Sequence, residues 1–328
     1  MARASRSTCT KVGPAKISVI GAGHVGATFA YALLLSGLAV EVVLIDKDHA
    51  RAESEALDLA HALPFRMPAS VRAGSMAESS NSDIVVIAAG PSQHHGETRL
   101  DLAARNAVVV REVAAGIAEH SPQAIILVAT NPVDIIAQLA QETSGFPPAS
   151  VIGSGTILDT ARLRHLVGQH FRVDPRSVDA QMIGEHGDSA VATWSLANVA
   201  GVPLAELARM RGVGFDAAMQ ERIAGEVHNS AYAIIAGKGA TYYAIASGLV
   251  RIIEAILCDQ KAVLTVSNAV GRAQGLPELE GTWLSLPCIV GRGGLEQTLA
   301  LNLSPSERAN LLRSGEILRS AKRGISSR

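Results

Sequence analysis

The chain has 328 residues, enough for two domains of ordinary size, and its formal net charge is only -1. This balance excludes a strong global field for nucleic acid or an acidic membrane surface, and no apolar stretch is long enough to span a membrane. The basic start is not followed by the apolar region of a signal peptide. Cys9, Cys258 and Cys288 are odd in number and far apart, which predicts free thiols. We therefore expect a cytoplasmic protein.

The first half of the sequence alternates short β-branched runs with longer amphipathic segments. The runs predict strands at Lys16–Ile20, Glu41–Ile45, Asp83–Ala88 and Ala124–Ala129. The segments between them predict helices at His24–Ser36, Asp48–His61 and Leu100–His120. Because crossovers between parallel strands are right-handed, this βαβ series predicts an α/β fold with a Rossmann-type, doubly wound parallel sheet.

A turn-rich connector at residues 143–148 precedes the second half of the chain. We therefore predict a first domain at residues 15–150, an α+β substrate domain at 151–320, and flexible termini at 1–14 and 321–328. The elements expected in the second half are a helix at Ile157–Phe171, a strand near Ser177–Ile183, helical stretches from Ala217 to Cys258, a strand at Trp283–Val290 and a helix at Ser304–Leu318.

A Gly-x-Gly-x-x-Gly motif at residues 21–26 follows the first predicted strand and opens the first predicted helix. Its glycines permit a tight turn, a close approach of the backbone to a pyrophosphate, and close packing of helix on strand. Asp46 ends the second predicted strand, where a carboxylate binds ribose hydroxyls and repels a 2′-phosphate, so NAD is favoured over NADP. The alternative is a structural glycine turn with a solvated aspartate. The predicted cofactor-binding residues in this region are Gly21, Gly23, His24, Val25, Gly26 and Asp46.

His186 lies between two glycines just after a predicted strand. A histidine can take the hydroxyl proton when a hydride leaves an alcohol, and a carboxylate such as Asp159 can fix its tautomer. Arg162 lies three residues beyond Asp159 on the same helix face, and its guanidinium could bind a substrate carboxylate with two hydrogen bonds. Taken singly, the three residues also fit a structural histidine, a first-turn helix acid and a surface ion pair.

The polar segment 90–99 leaves the carboxyl end of a predicted strand, which is where doubly wound sheets bind ligands, so we expect a closing lid there. Its neighbouring residues His94 and His95 are better explained by loop solvation, and we predict no metal site. Asn131 ends the next strand at the same edge and could bind cofactor or substrate. An Asn-Pro turn before a helix explains Asn131 equally well.

Seven segments in order resemble the L-lactate/L-malate dehydrogenase family, from about Lys16 to the final helix. They are GAGHVG, Asp46, QHHGETRLDLAARN, TNPVD, LDTARLR, IGEHGDS and KGATYYAIA. The resemblance implies NAD-dependent, reversible hydride transfer between a 2-hydroxy acid and its 2-oxo acid. It also implies a homodimer or homotetramer, with no nucleic acid or membrane partner.

The resemblance further implies roles for single residues. His186 is expected to be the acid/base, Asp159 its partner, and Arg99 the lid arginine that polarises the reacting carbonyl. Arg162 is expected to bind the substrate carboxylate. The other implied contacts are Asn131 and Thr241 at the substrate and nicotinamide, and Ile245 as the apolar contact of the nicotinamide ring.

Gln93 is the position at which this family separates its substrates, with glutamine in lactate enzymes and arginine in malate enzymes. A second substrate carboxylate facing a neutral amide would be buried without a partner, which costs several kcal/mol. The resemblance therefore implies pyruvate and L-lactate as substrates. A malate or other L-2-hydroxyacid dehydrogenase is the near alternative. An NAD-dependent glycoside hydrolase and a non-catalytic NAD-binding module are the distant ones.

Many bacterial members of this family are activated by fructose 1,6-bisphosphate, which an arginine and a histidine hold at a subunit interface. Arg164 matches the arginine, but Asp179 stands at the position of the histidine. Because a carboxylate repels a phosphate, we expect activation by this effector to be weak or absent.

Overall fold

The computed structural model describes residues 15–65, 68–91 and 99–326. The helices within these ranges are α1 (His24–Ser36), α2 (His49–Ala62), α3 (Arg99–His120), α4 (Val133–Ser144), α5 (Ile157–Phe171), α6 (Leu204–Arg211), α7 (Ala217–Lys238), α8 (Tyr243–Leu257) and α9 (Pro305–Ser326). None of these helices combines the length and the apolar character needed to cross a membrane.

The strands within the same ranges form one large sheet and two small ones. The members of the large sheet are β1 (Lys16–Ile20), β2 (Glu41–Ile45), β3 (Ser70–Ala73), β4 (Ile84–Ile87), β5 (Ile125–Val128), β6 (Val151–Gly153), β12 (Ala262–Ala269), β13 (Trp283–Gly291) and β14 (Gly294–Thr298). The small sheets contain β7 (Val178–Asp179), β8 (Met182–Ile183), β9 (Val191–Ala192), β10 (Asn198–Val199) and β11 (Val202–Pro203).

The large sheet has the order β3-β2-β1-β4-β5-β6, all parallel, followed by β12, β13 and β14 in antiparallel pairing. The order reverses between β1 and β4, and this switch point is where a doubly wound sheet forms its ligand crevice. The predicted α/β fold with a Rossmann-type parallel sheet is confirmed.

Alternate residues of the central strands face two different helical layers. Val85 and Ile87 of β4 pack with α3 and α4, whereas Ile84 and Val86 pack with α1 and α8. All four side chains are fully buried. Because both faces of these strands are covered, their sequences read as continuous apolar runs and not as alternating patterns.

Several predicted elements have the expected bounds, and others differ. β1, β2, α1 and α5 begin and end as predicted. The strand expected near residues 177–183 is instead two short strands, β7 and β8, which belong to different small sheets. The final helix, expected to end at Leu318, continues to Ser326 because Leu318 and Ile325, seven residues apart on one face, both pack into the core.

The prediction of three free cysteines is wrong for Cys258, which is disulfide-bonded. Spacing along the sequence could not reveal this, because a disulfide depends on the separation of two Cα atoms in the fold. Cys288 is a free and buried thiol, and burial raises its pKa to about 12. Cys9 lies outside the described residues.

Candidate active site

The glycine motif forms the turn between β1 and α1, and two of its glycines are required by close packing. Gly21 has a φ of 104°, and a Cβ on it would lie 2.5 Å from the backbone nitrogen of Ala89. A Cβ on Gly26 would lie 1.8 Å from the carbonyl oxygen of Gly21. A side chain on Gly21 would therefore force the turn away from the segment that follows β4, and a side chain on Gly26 would force α1 away from the turn.

Gly23 differs from Gly21 and Gly26 because, apart from its chain neighbours, no atom of the described residues lies within 4 Å of the position its Cβ would take. It precedes α1, whose N-terminus has neither a capping side chain nor an acidic residue in its first turn. An open backbone surface beside unpaired N–H groups fits a pyrophosphate. The glycine turn therefore fits the dinucleotide predicted from the sequence.

Asp46 follows β2 at the same edge of the sheet. Its Oδ2 accepts the N–H of Ala22 at 2.7 Å, and its Oδ1 accepts the N–H of Asp48 at 3.0 Å. These two bonds fix the carboxylate beside the glycine turn, and each oxygen retains capacity for a further hydrogen bond. This arrangement fits an adenosine ribose next to the pyrophosphate.

His24, inside the glycine motif, stacks on Tyr242, with ring centroids 5.3 Å apart and an angle of 23° between the planes. The ammonium group of Lys238 lies 3.4 Å from the centroid of the Tyr242 ring, a cation–π contact. These contacts bring Thr241, the residue before Tyr242, towards the glycine turn. The sequence did not predict this stack, although both rings lie in segments that carry the family resemblance, GAGHVG and KGATYYAIA.

His186 and Asp159, far apart in the chain, lie in direct contact. The Nδ1 atom of His186 is 2.6 Å from Oδ2 of Asp159, and Nη1 of Arg162 is 2.8 Å from Oδ1 of the same carboxylate. A quarter of the His186 side chain is exposed, whereas Asp159 is buried. One carboxylate thus binds both the imidazole and the guanidinium, while the other side of the imidazole faces solvent.

The pKa values of the pair move in opposite directions. Burial lowers the pKa of His186, but the charge of Asp159 and the hydrogen bond to it outweigh burial, so the pKa of the imidazole is raised. Burial raises the pKa of Asp159, but His186 and then Arg162 outweigh it, so the pKa of that carboxyl is lowered. The site therefore favours an ionised carboxylate next to an imidazole that holds its proton.

The segment that carries His186 is fixed to three elements. Gly184, with a φ of 92°, exchanges backbone hydrogen bonds with Ser285 of β13. The N–H of Glu185 donates to Oγ of Ser314 in α9 at 2.8 Å. The N–H of His186 itself donates to Oδ2 of Asp134 in α4 at 2.8 Å. A Cβ on Gly184 would lie 2.7 Å from Ser314 Oγ, so the turn requires glycine.

Asp159 is held opposite His186 because the first turn of α5 is bonded to β8. The hydroxyl of Thr160 accepts the N–H of Met182 at 3.0 Å, and the hydroxyl of Thr156 donates to the carbonyl of Met182. β8 ends at Ile183, three residues before the histidine. The same two threonines therefore set the register between the helix with the carboxylate and the strand that leads to the imidazole.

Four of the other predicted site residues lie at the carboxyl edge of the sheet or near it. Asn131 follows β5, and its carbonyl accepts Nδ2 of Asn106 at 2.6 Å while its side chain is exposed. Thr241 lies two residues before the start of α8, and Ile245 lies in the first turn of that helix. Arg99 begins α3, and Gln93 lies outside the described residues.

Comparison with known proteins agrees with these features along almost the whole chain. Residues 15–153 match the model of the lactate/malate dehydrogenase NAD-binding domain, and residues 156–327 match that of the lactate/malate dehydrogenase alpha/beta C-terminal domain. An L-lactate dehydrogenase of Moorella thermoacetica is 47% identical over 93% of this chain and 96% of its own length. One of Clostridium botulinum is 43% identical over 93% of this chain and 95% of its own length.

Solved structures show the same relationship. A lactate dehydrogenase from a Medee basin deep-sea metagenome library superposes with a TM-score of 0.90 at 38% identity, covering 95% of this chain and 99% of its own. A minor L-lactate dehydrogenase of Enterococcus mundtii superposes with a TM-score of 0.90 at 37% identity, covering 94% of this chain and 98% of its own. The fold and site thus define an NAD-dependent dehydrogenase. The chain belongs to the lactate/malate dehydrogenase family, as the sequence predicted.

Proposed function

We propose that this chain is an L-lactate dehydrogenase that interconverts L-lactate and pyruvate with NAD as its cofactor. The observation that carries the proposal is the arrangement of His186, Asp159 and Arg162 around one buried carboxylate. It combines a proton-transfer group with a cation suited to a substrate carboxylate. The curated relatives named as L-lactate dehydrogenases support the same activity.

NAD, when bound at the glycine turn, supplies the acceptor for the hydride that leaves lactate. His186 takes the hydroxyl proton at Nε2, because its Nδ1 is engaged by Asp159. The raised pKa of the imidazole allows His186 to keep that proton after oxidation. In the reverse direction the imidazolium returns the proton to the carbonyl oxygen of pyruvate.

Arg162 binds the substrate carboxylate through donors that its bond to Asp159 leaves available. A guanidinium has five N–H donors, and the contact with Asp159 uses Nη1. The ion pair is mostly buried, with the Arg162 side chain 14% exposed, so the guanidinium is held in one orientation. A guanidinium that is fixed next to the imidazole orients the substrate for proton transfer.

Arg99 and Gln93 complete the proposed site. Arg99 polarises the reacting carbonyl and stabilises the negative charge that develops on its oxygen. Gln93 admits the uncharged methyl group of pyruvate and leaves a second carboxylate without a partner. Asn131 and Thr241 line the substrate and nicotinamide, and Ile245 supplies an apolar surface that excludes water from the nicotinamide ring.

We further propose that the enzyme is a cytoplasmic homodimer or homotetramer and that it functions in glycolysis and fermentation. Several helices carry exposed apolar side chains that an interface between subunits would cover. They include Tyr31 and Leu35 of α1, Leu57 of α2, and Ile235 of α7.

The decisive experiment is steady-state NADH oxidation with pyruvate and with oxaloacetate, on the wild type and on Gln93→Arg. We expect the wild type to prefer pyruvate by about three orders of magnitude in kcat/KM, the equivalent of about 4 kcal/mol, and the variant to shift towards oxaloacetate. A wild type that prefers oxaloacetate or a bulky 2-oxo acid would overturn the lactate assignment. It would leave the dehydrogenase chemistry in place.

A further inference from the structure

Asp134 is a buried carboxylate at the start of α4 whose charge the proposed reaction does not use. Its side chain is 2% exposed, and the neighbouring Val133, Ile135 and Ile136 are buried as well. Fully buried acids are rare because removing a charge from water is costly. An acid in an apolar turn therefore requires an explanation beyond packing.

The two oxygens of Asp134 have different surroundings. Oδ2 accepts the backbone N–H of His186 at 2.8 Å, whereas Oδ1 is buried with no hydrogen-bond partner among the described residues. The Oγ atom of Ser267, in β12, is likewise buried without a partner in that part of the chain. These two atoms do not meet the geometry of a hydrogen bond, but the hydroxyl of Ser267 still lowers the pKa of the Asp134 carboxyl.

Ser267 has room beside α4 only because β6 carries a glycine at its end. A Cβ on Gly153 would lie 2.8 Å from Cβ of Ser267 and 3.2 Å from Cβ of Ala137 in α4. The contact between the large sheet and the first turns of α4 is therefore closely packed. Such packing holds the Asp134 carboxyl in place beneath the His186 segment.

Three groups set the ionisation of Asp134 besides burial. Burial raises the pKa of this carboxyl to about 6, Ser267 and the N–H and charge of His186 oppose the rise, and the charge of Glu185 adds to it. Asp134 is therefore mostly ionised at neutral pH and mostly protonated below about pH 6.

We infer that Asp134 is a positioning residue that fixes the His186 backbone and, through its negative charge, helps the imidazole to retain a proton. Asp159 acts on the imidazole ring and Asp134 acts from the opposite end of the residue, on its N–H. This role rests on the proposed function of His186 as the acid/base.

The charges that face His186 are consistent with this role. Asp159 and then Asp134 raise the pKa of the imidazole, while burial and the charge of Arg162 lower it. Asp134 also lies three residues after Asn131, in the helix that begins at the cofactor edge of the sheet. The bond from His186 to Asp134 therefore fixes the acid/base relative to that edge.

Asp134→Asn separates the charge from the hydrogen bond. The amide oxygen of asparagine can still accept the N–H of His186, but the negative charge is gone. With pyruvate and NADH, kcat/KM of this variant should be about tenfold below the wild type at pH 8, where loss of a proton from His186 limits the reaction. The two enzymes should converge near pH 5.5, where Asp134 is mostly protonated in the wild type. Asp134→Ala removes the acceptor as well, so its activity should fall at every pH.

Glu142→Gln is the matched control, because it removes the same charge from the same helix at an exposed ion pair with Lys322. This variant should keep the wild-type pH profile. A profile of Asp134→Asn that runs parallel to the wild type at all pH values would overturn the role of the charge. An unchanged rate of Asp134→Ala at pH 5.5 would overturn the positioning role.

A second readout does not require turnover. The imidazole signal of His186, assigned by its loss in His186→Gln, can be titrated by NMR in the cofactor-free protein. The midpoint should move to lower pH in Asp134→Asn and stay in Glu142→Gln, and an unmoved midpoint in Asp134→Asn contradicts the inference. A wild type without pyruvate reduction contradicts the proposed function alone, because the NMR titration still tests the charge of Asp134.

Discussion

Oδ1 of Asp159 binds Arg162 and Oδ2 of the same carboxylate binds His186, at 2.8 Å and 2.6 Å. The proposed acid/base and the proposed binding group for the substrate carboxylate are therefore fixed relative to each other by one buried carboxylate. Removing a single partner of such a buried set leaves the others uncompensated. Substitutions at Asp159 should accordingly affect both proton transfer and substrate binding.

Asp159→Asn should reduce kcat for pyruvate reduction by about 100-fold or more, the usual contribution of general acid–base catalysis. Because Asp159 raises the pKa of His186, its loss should also move the alkaline limb of the rate profile to lower pH. Steady-state NADH oxidation between pH 5.5 and 9 measures both effects. Asp174→Asn, which changes an exposed ion pair with Arg176, is the control and should leave the profile unchanged.

Arg162→Lys should raise KM for pyruvate by about 100-fold, since a single ammonium cannot make two parallel bonds to a carboxylate. Because lysine keeps the positive charge, this substitution tests the hydrogen-bond geometry of the guanidinium and not its charge. Arg176→Lys, at a side chain that is 91% exposed, is the matched control. A KM within twofold of the wild type would show that Arg162 does not bind the substrate carboxylate.

Gly23→Ala and Gly26→Ala should separate cofactor binding from folding. A Cβ on Gly23 would meet no atom within the described part of the chain beyond its own neighbours, and the Gly23 φ of -74° suits alanine. Tm should therefore stay within a few degrees while NADH affinity falls at least tenfold. A Cβ on Gly26 clashes with the Gly21 carbonyl, so that variant should lose about 3 kcal/mol or more of stability. Thermal unfolding and NADH fluorescence titration measure the two effects. Equal NADH affinity in Gly23→Ala and the wild type would contradict a pyrophosphate at this turn.

Fructose 1,6-bisphosphate should activate the enzyme weakly or not at all. Nη2 of Arg164 lies 3.7 Å from Oδ1 of Asp179, so the arginine that would bind a phosphate faces a carboxylate instead. The check is the apparent KM for pyruvate at subsaturating substrate, with and without the effector. A clear drop in KM would mean that the two residues rearrange to admit the phosphate.

The parallel half of the fold was predictable from local patterns because buried strands such as Ile84–Ile87 are uninterrupted apolar runs between helices. His186, Asp159 and Arg162 were predictable because their residue types match the chemistry and their segments match a family. Asp134 lies within the TNPVD segment, but the sequence predicted no role for it, because its contact with His186 depends on the packing of α4 against a distant segment. A charged residue inside the apolar run of α4 was the one signal that could have indicated it. The His24–Tyr242 stack was unpredictable for the same reason, since 218 positions separate the two rings.

Ionised Asp134 should also destabilise the folded enzyme, because its pKa is raised on folding. The pKa of Asp134 is raised from 3.8 to about 6 in the folded state, so the ionised carboxylate destabilises the fold. This destabilisation is complete above about pH 6 and is absent below about pH 4, where the carboxyl is protonated in both states. The rise corresponds to about 3 kcal/mol at neutral pH, an order-of-magnitude figure. Asp134→Asn should therefore raise the free energy of unfolding at pH 7.5 and leave it unchanged near pH 4, as urea unfolding at both pH values can measure. A variant less stable than the wild type at pH 7.5 would mean that the carboxylate stabilises the fold. Greater stability together with the activity loss at pH 8 would identify Asp134 as a charge that is retained for catalysis at the expense of folding.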